Sequence, residues 1–100
     1  MLLNFFEGVM KSLPTQYHLE VYEGSLINDP VWNVESSTPF LTIAKGDRFN
    51  HRGLSAIAWY NEPQRGQYFR VKDIEHIFWV IESSHVGHKL LVALELMSDE

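Results

Sequence analysis

The chain contains no cysteine, which excludes disulfides and thiolate metal sites and fits a reducing, cytoplasmic setting. Basic residues are few. Eight Lys and Arg stand against thirteen Asp and Glu, giving a net charge of −5. The basic residues are scattered singly, so the clustered positive charge that holds a phosphate backbone is missing and no nucleic-acid partner is expected. No apolar run approaches the roughly 20 residues of a membrane-spanning helix, so no membrane partner is expected. The apolar N-terminus MLLNFFEGVMKSL has no basic leading segment, and Glu7 interrupts it, so it does not read as a signal peptide. G-x-S-x-G, G-x-G-x-x-G and the phosphate-loop pattern are all absent, and no Ser finds an assignable His/Asp pair, so no catalytic residue and no cofactor are expected.

What remains is rich in bulky apolar side chains. The 100 residues are 45% hydrophobic, 13% aromatic and 21% charged, a globular composition for one domain spanning 1–100. Leu2, Phe6, Val9 and Leu13 recur at helical spacing and Pro14 ends the pattern, predicting a helix over 2–13. From residue 16 to 97 the period changes to two. Strands are expected at Tyr17–Tyr22, Val31–Val34, Phe40–Ala44 and Ala56–Tyr60, with turns at Glu23-Gly24, Asn28-Asp29-Pro30 and Lys45-Gly46-Asp47. The spacing of strands and turns predicts an α+β or mainly β fold, a strongly bent antiparallel sheet or small barrel of five to six strands with one N-terminal helix.

Residues 68–97 read as one long hairpin with apolar residues on both faces, where a surface sheet needs only one. Placing the loop at 84–87 pairs Ile81 with Leu90, Trp79 with Val92 and Ile77 with Leu94, an all-apolar core face. The other face then carries Ile74, His76, Phe78, Val80, Leu91 and Ala93, with His76 opposite Glu95. That second face is the candidate interface, covered by the N-terminal helix, by a second copy or by another protein. A break in alternation at Asp73 predicts a bulge near Lys72-Asp73, which returns Phe69 and Val71 to the inside.

Five histidines invite a metal reading. In the expected pairing His76 lies far from His85 and His88, so no metal site is assigned, although the turn histidines with Glu82 offer a weak alternative. The loop Asp47–Gly53 gathers Arg48, Phe49, His51 and Arg52. An anion or a stacked ring would suit it, as would a plain connection with Phe49 in the core. Trp32, Phe49, Trp59 and Tyr60 are the candidate ligand-binding residues, as an aromatic-lined cavity, unless they serve the core.

The segments FLTIAKGDRFNHR (40–52), YFRVKDIEHIFW (68–79) and HKLLVALEL (88–96) together resemble an SH3-like barrel pattern, with a Gly-Asp turn, a bent strand and a final strand. In overall character the chain resembles short uncharacterised bacterial proteins carried on phages, plasmids and integron cassettes. The resemblance covers about residues 40–97 and implies a small SH3-like barrel with no catalytic residue. The expectation is therefore a non-enzymatic interaction module, a homodimer through the second hairpin face. A small-molecule binding domain and a metal or enzymatic role through the turn histidines are the alternatives.

Overall fold

A computed structural model describes residues 13–54 and 56–99. Five strands form one sheet in the order β2-β1-β5-β4-β3: β1 Thr15–Glu23, β2 Trp32–Ser36, β3 Arg48–Phe49, β4 Gln67–Ile81 and β5 His85–Ser98. The sheet is curled into a half-barrel. The helix expected over 2–13 falls on residues 1–12, outside those described. Among the described residues the one helical piece is a 3₁₀ turn at His51–Gly53.

β1 alternates β-formers with polar residues, as its sequence TQYHLEVYE predicts, and buries Leu19 and Val21 on one face. Gly24, at φ 91°, reverses the chain, a conformation that favours glycine. β2 then returns antiparallel, pairing Trp32 with Val21 and Val34 with Leu19. The other edge of β1 runs parallel to β5, from Thr15 opposite Val86 to Glu23 opposite Leu94. The sheet is thus mixed, which corrects the antiparallel expectation. Alternation within a strand reports which face is buried and carries no information on the direction of its neighbour.

β4 and β5 form the long antiparallel hairpin, and its register slips between Val71 and Asp73. The bulge lies where the sequence predicts it. Ahead of it Phe69 and Val71 point into the core; beyond it Ile74, His76, Phe78 and Val80 share that same face. The core face consists of Leu19, Val21, Phe69, Val71, Leu90, Val92 and Leu94. Val31, Trp32, Val34, Phe40, Ile43, Phe49, Trp59 and Ile74 pack around them. Each fully buried side chain contributes about 1.5–3 kcal/mol of transfer free energy. A smaller cluster on the opposite face buries Tyr22, Leu91 and Ala93 with Leu26 against them.

The strands expected at Phe40–Ala44 and Ala56–Tyr60 are irregular. In the first, the Ala44 amide is taken by the Asp47 carboxylate and the Asp47 amide returns to the Ala44 carbonyl, closing a tight turn that consumes the groups a ladder would need. In the second, Ala56 sits at φ 62°, outside extended backbone. Phe40, Ile43 and Trp59 still pack on the core from these loops, so their apolar spacing reflects burial without pairing.

Candidate functional site

The hairpin closes through Glu82–Ser84, with Ser83 at φ 62° and the Ser84 amide donating to the Ile81 carbonyl at 3.0 Å. Ile81 therefore faces His85, Trp79 faces Gly87, and Phe78 faces His88. The expected loop at 84–87 placed the turn too late, and the odd shift in register exchanged the faces of β4 relative to β5. This corrects the predicted core face. Leu90, Val92 and Leu94 are core, whereas Ile77, Trp79 and Ile81 lie on the opposite side of the sheet. The predicted interface set divides in the same way. Ile74, His76, Phe78 and Val80 lie on the core face, and Leu91 and Ala93 are buried in the small cluster behind it.

The core face of the hairpin is covered only part of the way to the turn. Ile74 is packed, but beyond it Phe78 is 67% exposed and Val80 60%. Across the sheet Ile77 and Ile81 are 40% and 48% exposed. Both faces of the distal hairpin therefore carry apolar side chains in water.

On the core face these residues surround a histidine pair. His76 and His88 meet through Nδ1 and Nε2 at 2.9 Å, with ring centroids 5.1 Å apart and planes 17° from parallel. A nitrogen-to-nitrogen contact of this length needs one ring N–H donating to the lone pair of the other. Phe78 stacks on His88 at 4.4 Å, and Tyr17 meets the His88 ring edge-on at 6.0 Å. A cavity of about 240 Å³ opens beside the pair, bounded by Tyr17, Phe40, Ile43 and Leu90. Burial, and then the neighbouring His76, hold the His88 imidazole below its ordinary 6.5. The separation of His76 from His88 argued from the sequence is thus overturned, because the shorter turn draws His88 back to the rung beside His76. The expected His76–Glu95 pair is absent. Glu95 takes two hydrogen bonds from Arg70, at 3.0 and 2.9 Å. Among the described residues no group of three or more His, Asp or Glu gathers as a metal set would.

This pair carries a pH expectation. A group whose folded pKa is depressed binds its proton more readily in the unfolded chain. Stability then falls as pH drops below 6.5 and stops falling beneath the folded value. Urea titrations at pH 7.5 and 5.5 are expected to show lower stability at the acid value, and His88→Gln is expected to flatten that difference. An unchanged pH dependence in the variant sinks this account.

On the reverse face, burial alone would raise the Glu20 carboxyl, but hydrogen bonds from Tyr22 at 2.7 Å and Lys89 at 3.2 Å outweigh it and hold it below its usual range. Burial and the same carboxylate push the Tyr22 hydroxyl up to about 12. The group is an anchored polar seam beside a buried cluster.

The four aromatic residues assigned to a ligand cavity do not converge. Trp32, Phe49 and Trp59 pack around the core. Trp59 stands 4.9 Å from Phe69 and 5.6 Å from His51, ring to ring. Tyr60 is 88% exposed beside a shallow depression edged by Pro30, Val31 and Trp59. Two of the three basic side chains of the 47–53 loop meet carboxylates, while Arg52 is exposed. Arg48 bonds Asp99 at 2.8 Å while lying over the Tyr68 ring, and buried His51 meets Glu62 at 3.1 Å.

No known protein family, curated protein or solved structure matches this chain.

Two features of the site escaped the sequence reading. The i, i+2 spacing of His76 and Phe78 was visible, but their partner His88 depends on a three-residue turn that Ser83 closes without a glycine. Gly87 carries a turn signal in the sequence; its position opposite Trp79 gives it a different purpose.

Proposed function

We propose that this protein is a non-enzymatic interaction module that self-associates through the distal half of its β4–β5 hairpin. The observation that carries the reading is the gathering of Ile77, Phe78, Val80 and Ile81 at one end of the molecule, all exposed and all on one strand. Isolated exposed apolar residues are ordinary, but a contiguous cluster on both faces of one strand marks a contact surface. The chain's lack of cysteine suits a reducing compartment.

Light scattering across a concentration series is expected to give a dimer mass for the wild type. Phe78→Asp is expected to weaken association at least about tenfold, because each copy would have to desolvate a carboxylate. Folding should survive, since the Phe78 side chain is two-thirds exposed. A wild-type monomer at the highest attainable concentration refutes the reading.

A further inference from the structure

The hairpin leaves one backbone edge open, and its pattern of groups identifies what fits it. β3 covers the outer side of β4 only at Phe69 and Arg70, and the Val71 amide and carbonyl are taken by Asp47 and Gly46. Among the described residues no strand pairs with that side from Lys72 to Ile81. In an antiparallel ladder, residues directly opposite either exchange both hydrogen bonds or turn both sets of groups away from each other. The Val86 amide donates to Pro14 on the β1 side, so the pair Val80–Val86 is of the second kind. Ile74, His76 and Phe78 share that parity. All four therefore face outward: His76, Phe78 and Val80 direct an N–H and a C=O into solvent, while the Ile74 amide donates to the Asp73 carboxylate at 3.0 Å.

Open edges are ordinarily blunted by a Lys, a Pro or a short strand. Here the last six residues of the open edge, His76–Ile81, read HIFWVI, with no Lys, Arg, Asp, Glu or Pro, over about 20 Å at about 3.3 Å per residue. Charges bracket it: Lys72, Asp73 and Glu75 on one side, Glu82 on the other.

The geometry points to antiparallel pairing of β4 with β4 of a second copy, about a two-fold axis at Ile77. This inference rests on the self-association proposed above and names its bonding. An axis at Ile77 sets Ile74 opposite Val80 of the partner subunit and His76 opposite Phe78 of the partner subunit. Every outward-facing residue then meets another outward-facing residue. The same axis brings Lys72 opposite Glu82 of the partner subunit, an attractive pair at each end once the Lys72 ammonium turns from the Gly24 carbonyl it meets at 2.9 Å. Moving the axis by one residue to Phe78 keeps the parity but places Ile74 opposite Glu82 of the partner subunit and loses both charge pairs. The contact is isologous, so it closes at two copies and joins two five-stranded sheets into one.

Ile77 then lies opposite its own counterpart in a pair without mutual hydrogen bonds, where Cα atoms approach to about 4.5 Å, within disulfide range. Because the chain has no cysteine of its own, Ile77→Cys is a clean reporter. Under mild oxidation it is expected to run as a covalent dimer on a non-reducing gel. Glu75→Cys and Ile81→Cys, both off the axis, are expected to yield at least about fivefold less. On the wild type, the His76, Phe78 and Val80 amides are expected to exchange slowly at high concentration and to speed up on dilution. If Ile77→Cys fails to link, or all three variants link equally, while the wild type is a dimer by light scattering, self-association stands and this pairing falls. If these amides are protected at every dilution in a monomer, a segment of the same chain holds the edge and both readings fall. Assemblies larger than a dimer overturn the two-fold closure.

Discussion

Phe69→Ala is expected to lower stability by about 3–5 kcal/mol, the range for emptying a fully buried aromatic site. Phe69 is among the largest completely buried side chains. Its ring is where three separate parts of the chain meet. Trp59 reaches it from the 56–66 loop at 4.9 Å, His51 from the 3₁₀ turn at 5.3 Å, and Phe49 from the paired rung of β3. Beyond this ring, the Trp59 loop is held by the Glu23 carboxylate, which accepts from the Tyr60 and Asn61 amides at 2.7 Å each, and β3 itself has only two residues. Removing the ring therefore leaves a cavity that its neighbours fill only by loosening these attachments. With a total stability of about 5–15 kcal/mol for a domain of this kind, the loss is a large share. The thermal midpoint is expected to fall by more than about 10 °C. Phe69→Leu, which keeps most of the volume, is expected to lose less than half as much. A shift of a degree or two for Phe69→Ala would mean that the ring is not the common support of these loops.

Gly87→Ala is the second large effect, about 2–3 kcal/mol destabilising, an overpacking cost in a place that cannot expand. Gly87 lies directly opposite Trp79 in the ladder, and the indole lies flat on its Cα. A methyl group there would overlap the ring itself. His18 crowds the indole from the neighbouring strand, with centroids 5.2 Å apart, and closes one direction in which the ring could retreat. The test is a double-mutant cycle. If the methyl clashes with the indole, Gly87→Ala should be nearly harmless in a Trp79→Ala background, with a coupling of at least about 1 kcal/mol. Additive losses would mean that the glycine is required for some other reason.

The same residue explains where the sequence misled. Gly87 follows Ser83, Ser84, His85 and Val86, and glycine near serines is a sound turn signal. Its true use is to leave room for an indole in mid-strand. Placing it in the loop shifted the pairing by an odd number, and one such shift inverts every side chain on a strand. β1, β2 and the two hairpin strands, the bulge at Lys72 and the burial of Leu90, Val92 and Leu94 were legible because they depend on local alternation, whereas the two-residue β3 lies in what reads as a loop. The parallel neighbour of β1 and the contact of His76 with His88 were not. Both depend on which distant strand lies alongside, and alternation is silent on that. Phe40–Ala44 and Ala56–Tyr60 show the converse, since alternating apolar residues that pack from a loop look like a strand when only their period is read.

The place of β5 in the sheet bears on how the chain reaches its native state. β5 lies between β1 and β4, and it contributes Leu90, Val92 and Leu94 to the core. It is also the last of the five strands to leave the ribosome. Until it emerges, β1 and β2 can pair with each other but lack Leu90, Val92 and Leu94, the centre of the cluster that buries Leu19 and Val21, and HIFWVI waits with both edges bare. Pairing β1 with β5 joins residues about seventy positions apart, a long closure that must precede any reward. Folding therefore awaits residues 85–98, and the growing chain has reason to rely on a holding chaperone while its middle strand is still being made.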